Sequence, residues 1–264
     1  MPRLSEILAA TDAFAPLAGQ AKSDNSGLIT GDESREITRA ICCLDISNAV
    51  IDEAVEKGAE LIVSHHPVFN VNYESVSRFY QYMPITRLIE RNICAICVHT
   101  PLDMTRGGIN DELANRLGFE IIRDIFEIEE TRDGRLWGYG KVLRLPKAYT
   151  ARELAEYVKK AVGCPVLRLV DGKNEIRTLA FASGGSRRLS YMAMDEGFDA
   201  FMGGDFKHDQ MIAAKNRGFT ILDCGHYGTE IIAPDILLRE LKRAFPDLHA
   251  ERAQAETDPS EYIF

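Results

Sequence analysis

Short apolar runs alternate with amphipathic stretches along most of the chain, and this alternation predicts an α/β protein. Apolar runs predict strands at Ile37–Ile46, Ala59–Val63, Ile93–Val98, Pro165–Val170, Arg177–Ala182, Phe198–Met202 and Phe219–Asp223. Amphipathic stretches predict helices near the N-terminus and at Val50–Lys57, Ile85–Arg91, Asn110–Leu117, Ala151–Val162, Arg188–Glu196, Asp209–Asn216 and Glu230–Ala244. Residues 119–145 alternate around a turn signal at Asp133-Gly134 and predict short, partly antiparallel strands. The polar tail after Pro246 predicts loose chain as far as Tyr262.

The chain resembles itself once. Residues 37–66 and 176–205 both run strand, turn, helix, glycine, strand and polar cluster, and Gly58 corresponds to Gly197. Each segment continues into a further helix, strand and polar cluster. This pattern favours duplication of one βα unit over the weak self-similarity of any βαβα chain. The predicted fold is therefore two duplicated α/β halves, at 1–125 and 126–264, with the C-terminal helix packing back on the first half.

Composition and charge limit the function classes. The 264 residues carry a formal net charge of −9, which argues against nucleic acid or an anionic membrane as the main partner. The sequence shows neither a membrane-span pattern nor a signal-peptide pattern, and its cysteines lie mostly inside apolar runs, as reduced thiols do. These features predict a cytoplasmic protein. Cys94 and Cys97 form a C-x-x-C, but in a strand these positions face opposite sides, which disfavours a redox or zinc site.

Polar clusters directly follow four of the predicted strands. They read SHHP, HTPLD, GGD and CGHYGTE, and they contain His65, His66, His99, Asp103, Asp205, His226 and Glu230. Ligands of open α/β sheets gather beyond the carboxyl ends of the strands, so we expect these side chains to converge. Imidazole and carboxylate donors without thiolate suit Zn, Fe or Mn.

The spacing of these residues favours two metal ions. His65 and His66 point to opposite sides if the strand persists, so a turn at Pro67 would let them serve two metals. His226 and Glu230 are four residues apart and face one pocket if the last helix begins near Thr229. Asp103 or Glu230 is the natural bridging carboxylate. Taken singly, each signal is more often an ordinary polar residue; placed together at strand ends, they favour metal binding.

Other polar residues keep alternative roles. His99 is a further ligand, an orienting residue or a proton shuttle; we favour an orienting position from which it moves a proton. Asp205, Lys207 and His208 line the pocket or cap the next helix. Asp24 and Asn25 predict a tight turn near the site. The glycine-rich segment at 184–186 could receive an anion on backbone N–H groups, although that signal alone is weak.

Several of these motifs resemble the Nif-three-like family, also known as GTP cyclohydrolase 1 type 2 homologs. The resemblance covers nearly the whole chain, from DNSGLITGD through SHHPVF, HTPLDMTRGGINDELANRLG and FASGGS to GGDFKHD and LDCGHYGTE. It implies two intertwined α/β halves with mixed sheets, a dinuclear metal centre and a toroidal homohexamer. The family's metal positions correspond to His65, His66, Asp103, His226 and Glu230. Ser26, Pro101 and Met104 depart from the family pattern, which leaves the substrate open more than the metal.

These observations predict a dinuclear, divalent-metal-dependent hydrolase acting on a small, anionic or nucleotide-like substrate. Two divalent ions per chain, Zn, Fe or Mn, would be held at a seam between the two halves. The family name implies GTP, but the sequence contains no motif that recognises guanine. The alternative is a non-enzymatic metal-binding or regulatory protein that forms a ring-shaped oligomer.

Overall fold

A computed structural model describes residues 1–68, 83–124, 126–130, 136–173 and 175–263. Its helices are α1 Leu4–Phe14, α2 Asn48–Lys57, α3 Pro84–Glu90, α4 Thr100–Met104, α5 Ile109–Leu117, α6 Ala151–Val162, α7 Arg187–Asp195, α8 His208–Asn216, α9 His226–Glu230 and α10 Ala233–Ala244. Its strands are β1 Gly27–Thr30, β2 Arg39–Cys43, β3 Leu61–Ser64, β4 Cys94–Cys97, β5 Glu120–Arg123, β6 Glu127–Glu130, β7 Leu136–Tyr139, β8 Lys141–Tyr149, β9 Arg168–Val170, β10 Ile176–Phe181, β11 Ala200–Gly203, β12 Thr220–Asp223 and β13 His249–Arg252. The α/β prediction is confirmed. The predicted turn at Asp133-Gly134 lies outside the described residues.

The chain forms two compact units, and the halves at 1–125 and 126–264 stay a prediction. The first is built mainly from Met1–Gly108 and Ile232–Pro259, and the second mainly from Ile109–Glu129 and Leu136–Ile231. Helix α5 belongs to the second unit, where it packs on α6 and β8. The chain returns to the first unit at Ile232, and α10 packs there on α1, β2 and β13.

The first unit contains a five-stranded mixed sheet in the order β1-β4-β3-β2-β13. Strands β2, β3 and β4 are parallel, and β1 is antiparallel to β4. Helix α2 begins where the hydroxyl of Ser47 accepts a hydrogen bond from the Val50 N–H, and it ends at Gly58 in the left-handed conformation (φ 65°). Its apolar face packs against the sheet with Ile41, Ile62 and Leu88 in one buried cluster.

The second unit contains a six-stranded mixed sheet in the order β5-β8-β10-β11-β12-β9. Strands β10, β11 and β12 are parallel, and β9 is antiparallel to β12. The fully buried Phe181 and Phe201 lie on neighbouring strands of this sheet. Both sheets therefore contain three parallel strands joined by helices, with an earlier strand antiparallel to the third. This shared order is what duplication of one βα unit predicts.

In the C-terminal region one predicted element starts later than expected and one prediction was wrong. The helix predicted at Glu230–Ala244 is confirmed as α10, which begins at Ala233, and Ile231 and Ile232 separate it from the short helix α9. Pro234 is in the first turn of α10, where its missing N–H is tolerated, so it favours a new helix start there. The tail after Pro246 is ordered at β13, which pairs parallel with β2. Its sequence, HAER, carries no apolar alternation, so only the tertiary pairing makes it a strand.

Smaller differences concern the lengths of elements. The strand predicted at Pro165–Val170 is confined to β9, and α4 within HTPLD was not predicted. Cys94 and Cys97 lie at the two ends of β4, both buried and both free thiols. Among the described residues, none of the helices has the length and apolar character that crossing a bilayer requires.

Candidate functional site

Three histidines of the first unit meet beyond the carboxyl ends of β3 and β4. His65 and His66 follow β3, and His99 follows β4 and precedes α4. The ring centroids of His65 and His66 are 4.9 Å apart, and that of His99 lies 5.2 Å from His65 and 5.6 Å from His66. One ligand nitrogen from each ring can be chosen so that all three lie within 4.8 Å of one another. The parallel pairing of β3 with β4 brings these residues together.

His65 is held in a defined orientation. Its side chain is fully buried, and its Nδ1 lies 2.9 Å from the carbonyl oxygen of Val98. A carbonyl only accepts hydrogen bonds, so Nδ1 must donate and the neutral ring carries its lone pair on Nε2. That Nε2 lies 3.9 Å from Asp103 Oδ2, on the first turn of α4. This is the tautomer that a metal-ligating histidine needs.

His66 and His99 are oriented by carboxylates. Nδ1 of His66 lies 2.8 Å from Asp45 Oδ1, and Nδ1 of His99 lies 2.8 Å from Asp24 Oδ1. An ionised carboxylate only accepts, so each ring donates through Nδ1 and presents Nε2 to the cluster. A histidine that donates its second nitrogen to a carboxylate is the usual arrangement around protein-bound metals.

Asp24 is the buried centre of a hydrogen-bond network around His99. Its carboxylate accepts from the Ser26 hydroxyl at 2.9 Å and from the Thr100 N–H at 3.1 Å. Burial by itself would raise the pKa of Asp24, but the hydrogen bond and charge of His99 and the bonds from Thr100 and Ser26 lower it well below its usual value. Burial opposes the charged form of His99, yet Asp24 raises its pKa above the ordinary value.

The second unit presents His226 and Glu230 on one short helix, α9. His226 Nε2 lies 2.8 Å from Glu230 Oε2, and its Nδ1 lies 2.8 Å from Asp205 Oδ2. Burial opposes protonation of His226, but the hydrogen bonds and charges of Glu230 and Asp205 prevail and raise its pKa to about 9. Helix α9 begins at His226 rather than near Thr229, so the two side chains share a face across a single turn.

Glycines leave the space that these side chains occupy. A Cβ on Gly184 would lie 2.0 Å from Glu230 Oε1 and 3.3 Å from His226 Nε2. A Cβ on Gly204 would lie 2.6 Å from the backbone nitrogen of His226. Gly184 also has a φ of +59°, which other residues rarely adopt. The GGS and GGD segments therefore pack closely against α9.

The remaining candidate residues separate into two groups. Asp205 belongs to the site as the carboxylate partner of His226. Lys207 and His208 are exposed at the start of α8, where the Lys207 N–H donates to the Gln210 side chain at 3.1 Å. They belong to the helix start, as the capping alternative proposed. Asp24 and Asn25 form the expected turn, in which the Asn25 N–H donates to Asp24 at 2.6 Å.

The sequence interpretation missed one carboxylate that the structure places in this role. Asp45 follows β2 and orients His66 of the next strand; Asp205 likewise follows β11 and orients His226. Both pairs are 21 residues apart, the length of one strand-helix-strand step. The available signal was an acidic residue after the preceding strand. Asp45 follows β2, the strand before β3 and His66, and Asp205 follows β11, the strand before β12 and His226.

A family profile described as Duf34/NIF3 (NGG1p interacting factor 3) matches residues 2–259. The chain belongs to the Duf34/NIF3 family. A Clostridium perfringens family relative named GTP cyclohydrolase 1 type 2 homolog is 30% identical over 266 residues, covering 99% of this chain and all of the relative.

Solved structures agree with this Duf34/NIF3 assignment. The Staphylococcus aureus protein SA1388 superposes with a TM-score of 0.85 at 25% identity, covering 99% of both chains. A Bacillus cereus protein related to NIF3 superposes with a TM-score of 0.86 at 19% identity, covering all of this chain and 99% of the other, and at that identity it supports the fold alone. The mixed α/β architecture with two mixed sheets is thus the Duf34/NIF3 fold.

Proposed function

We propose that this Duf34/NIF3 protein is a divalent-metal-dependent hydrolase that acts in the cytoplasm on a small, anionic or nucleotide-like substrate. His65, His66, Asp103, His226 and Glu230 would hold a pair of divalent ions. One observation carries the proposal: Nδ1 of each of these histidines lies against an oxygen acceptor, which reserves Nε2 for a metal.

The donor set fits Zn, Fe or Mn. It consists of imidazole nitrogens and carboxylate oxygens, and it includes no thiolate. The buried position of Glu230 beside His226 favours a cation there, because a buried carboxylate is stabilised by an added positive charge. Glu230 Oε2 already lies 2.8 Å from His226 Nε2 on the single turn of α9, so these two donor groups are held together. Such preorganisation is what a specific metal site requires.

The chemistry that a bound metal pair supplies is Lewis-acid activation of water and neutralisation of developing negative charge. The protein's own groups would complete the reaction. His99 has a partly exposed ring, a carboxylate behind it and a raised pKa, which suits a group that accepts and returns a proton. We assign it proton transfer rather than metal binding, since Asp24 orients it from within a buried network.

The name of the relatives suggests GTP as substrate, and the family resemblance suggests a homohexamer. We carry over only the anionic, nucleotide-like class, because no guanine-reading group is identified among the described residues. The hexamer remains part of the proposal, and multi-angle light scattering of the purified protein tests it. A mass near 177 kDa, six times the chain mass of 29.5 kDa, is expected.

Metal content is the first test of the function. Elemental analysis after reloading should find close to two ions per chain in the wild type. His66→Ala and Glu230→Ala should each lose at least one ion. His249→Ala is the matched control, because His249 is exposed on β13 and has no place in the clusters. Well under one ion per chain in the wild type would refute the metal assignment.

Turnover is the second test. The metal-loaded protein should hydrolyse members of a panel of nucleotides, phosphoesters and cyclic amides, and His66→Ala and Glu230→Ala should abolish this. Turnover that survives both substitutions would show that the site is misassigned. Two tightly bound ions without turnover on any member of the panel would instead support the non-enzymatic assembly protein.

A further inference from the structure

The loop at residues 183–186, here called the SGGS loop, connects β10 to α7 and is held rigidly within the second unit. The Ser183 N–H donates to Asn110 Oδ1 at 3.0 Å, and the Gly184 N–H donates to the Thr229 hydroxyl at 2.9 Å. The Gly184 carbonyl accepts from the Gly204 N–H at 2.9 Å. These bonds come from three different segments, so the loop is preorganised. In the proposed function, the SGGS loop has no role other than leaving room for Glu230.

Ser186 occupies the N-cap position of α7 without capping it. A serine there normally accepts a hydrogen bond from the first turn, but the Ser186 side chain makes no such bond. Within the described part of the chain, its hydroxyl has no hydrogen-bond partner although the residue is only 5% exposed. A Cβ on Gly203 would lie 1.9 Å from this hydroxyl, so Gly203 keeps its position open at the carboxyl end of β11. A buried hydroxyl without a partner is costly and indicates a missing acceptor.

The start of α7 favours a negative charge. The helix has nine residues, and its first turn contains no acidic side chain. Arg187 and Arg188 occupy the first two positions instead, and Arg187 Nη2 lies 3.7 Å from Asp209 Oδ2 on α8. An anion at this helix end would accept from the first-turn N–H groups. The helix N-terminus and the buried hydroxyl of Ser186 therefore indicate the same kind of ligand.

The SGGS loop also lies beside the candidate metal ligands of the second unit. A Cβ on Gly185 would lie 3.2 Å from Asp205 Oδ2 and 3.8 Å from His226 Nδ1. Because Gly185 has no side chain, a ligand can approach its backbone closely. A group bound at the start of α7 would thus be a neighbour of His226. Asp205 is already hydrogen-bonded to His226, which reduces its repulsion of a second anion.

We propose that the SGGS loop and the N-terminus of α7 bind a phosphoryl group of the substrate, with the Ser186 hydroxyl donating to one of its oxygens. This inference rests on the proposed function and specifies its substrate class as a phosphorylated small molecule. The neighbouring Glu230 carboxylate repels an anion until a cation neutralises it. Phosphate is therefore expected to bind more tightly to metal-loaded protein than to metal-free protein.

The test is calorimetric titration of full-length protein with inorganic phosphate, in both the metal-free and the Mn²⁺-loaded forms. Ser186→Ala should weaken phosphate binding roughly 10- to 100-fold, the usual loss when a hydrogen bond to a charged group is removed. Ser190→Ala is the matched control: Ser190 is a buried serine on the same helix, but its hydroxyl donates to the Arg187 carbonyl at 2.9 Å. It should leave phosphate affinity unchanged. Acetate, titrated at equal ionic strength, should bind more weakly than phosphate.

The outcomes separate this inference from the proposed function. Equal phosphate affinity of Ser186→Ala and wild type, no phosphate binding in either form, or acetate binding as tightly as phosphate would each overturn the phosphoryl subsite. Metal content measured on the same samples reports on the metal site alone. Phosphate binding that depends on Ser186 in a protein that retains no metal would support the subsite and refute the metal centre. Thermal melts show that each variant is folded.

Discussion

His226 and Asp205 form a hydrogen-bonded pair, with Nδ1 of the imidazole 2.8 Å from Oδ2 of the carboxylate. Asp205 holds a left-handed backbone conformation (φ 62°) directly after β11, and this places its carboxylate behind the ring. A carboxylate in this position fixes the ring orientation and makes Nε2 a better metal donor. The pair therefore yields a direct test of how the second unit contributes to metal binding.

Asp205→Asn should weaken metal binding about 10- to 100-fold, the usual effect of losing such a carboxylate. Asparagine is the suitable replacement because it tolerates the left-handed conformation, so the backbone is not strained. Competition titration with a chromophoric chelator measures the affinity. Asp209→Asn is the control, since Asp209 is an exposed acid on the first turn of α8. Equal affinities of the two variants would contradict the role of Asp205.

Gly184→Ala should displace Glu230, because the added Cβ would lie 2.0 Å from Glu230 Oε1. We expect loss of bound metal together with a destabilisation of about 1–3 kcal/mol from strain and overpacking. Elemental analysis and chemical denaturation measure the two effects. Gly197→Ala is the matched control: Gly197 also has a positive φ of +80°, but its Cβ would meet nothing within 4 Å. It should cost about 1–2 kcal/mol in backbone strain and retain its metal.

His99→Gln should retain metal but lose turnover. A missing proton-transfer group typically lowers the rate about 10²- to 10⁴-fold, whereas a missing ligand lowers metal content. Elemental analysis and initial rates on the same sample distinguish these roles. His249→Gln is the control, because it shows how replacing a histidine outside the site changes the metal content and the rate. Loss of one metal ion from His99→Gln would instead make His99 a ligand.

Glu53 links α2 to the C-terminal segment and should make stability depend on pH. Its carboxylate accepts from Lys57 Nζ at 2.7 Å and from the N–H groups of Gln254 and Ala255 at 2.9 and 2.7 Å. Burial by itself would raise its pKa, but these bonds lower it below the ordinary value of 4.5. A folded-state pKa below the unfolded one stabilises the protein above pH 4.5, and this contribution is lost as the pH falls through the folded value.

Glu53→Gln should therefore destabilise the protein by about 1–3 kcal/mol at pH 7, because partly buried hydrogen bonds to a charged acceptor are lost. The difference from wild type should shrink as the pH falls below 4.5. Urea denaturation at a series of pH values measures this. Glu56→Gln, an exposed position on the same helix, should change stability little at any pH. A difference between Glu53→Gln and wild type that does not vary with pH would contradict the linkage.

Local pattern predicted most helices and parallel strands, because each depends on residues only two to four positions apart. It also predicted the polar clusters at strand ends, since a strand that leaves a buried sheet is followed by polar chain. The strand β13 was missed because its order comes from pairing with β2, about 200 residues earlier. The sequence HAER contains no local pattern that indicates pairing with β2.

What the sequence by itself determined is which residue types follow which strands: His65 and His66 after β3, His99 and Asp103 after β4, and His226 and Glu230 after β12. Only the tertiary structure decided which carboxylate orients which histidine. Asp45 behind His66, Asp24 behind His99 and Asp205 behind His226 are contacts between strand ends or loops far apart along the chain. The pairing of strands in the sheet sets such contacts, and that pairing depends on the whole chain rather than on a local window.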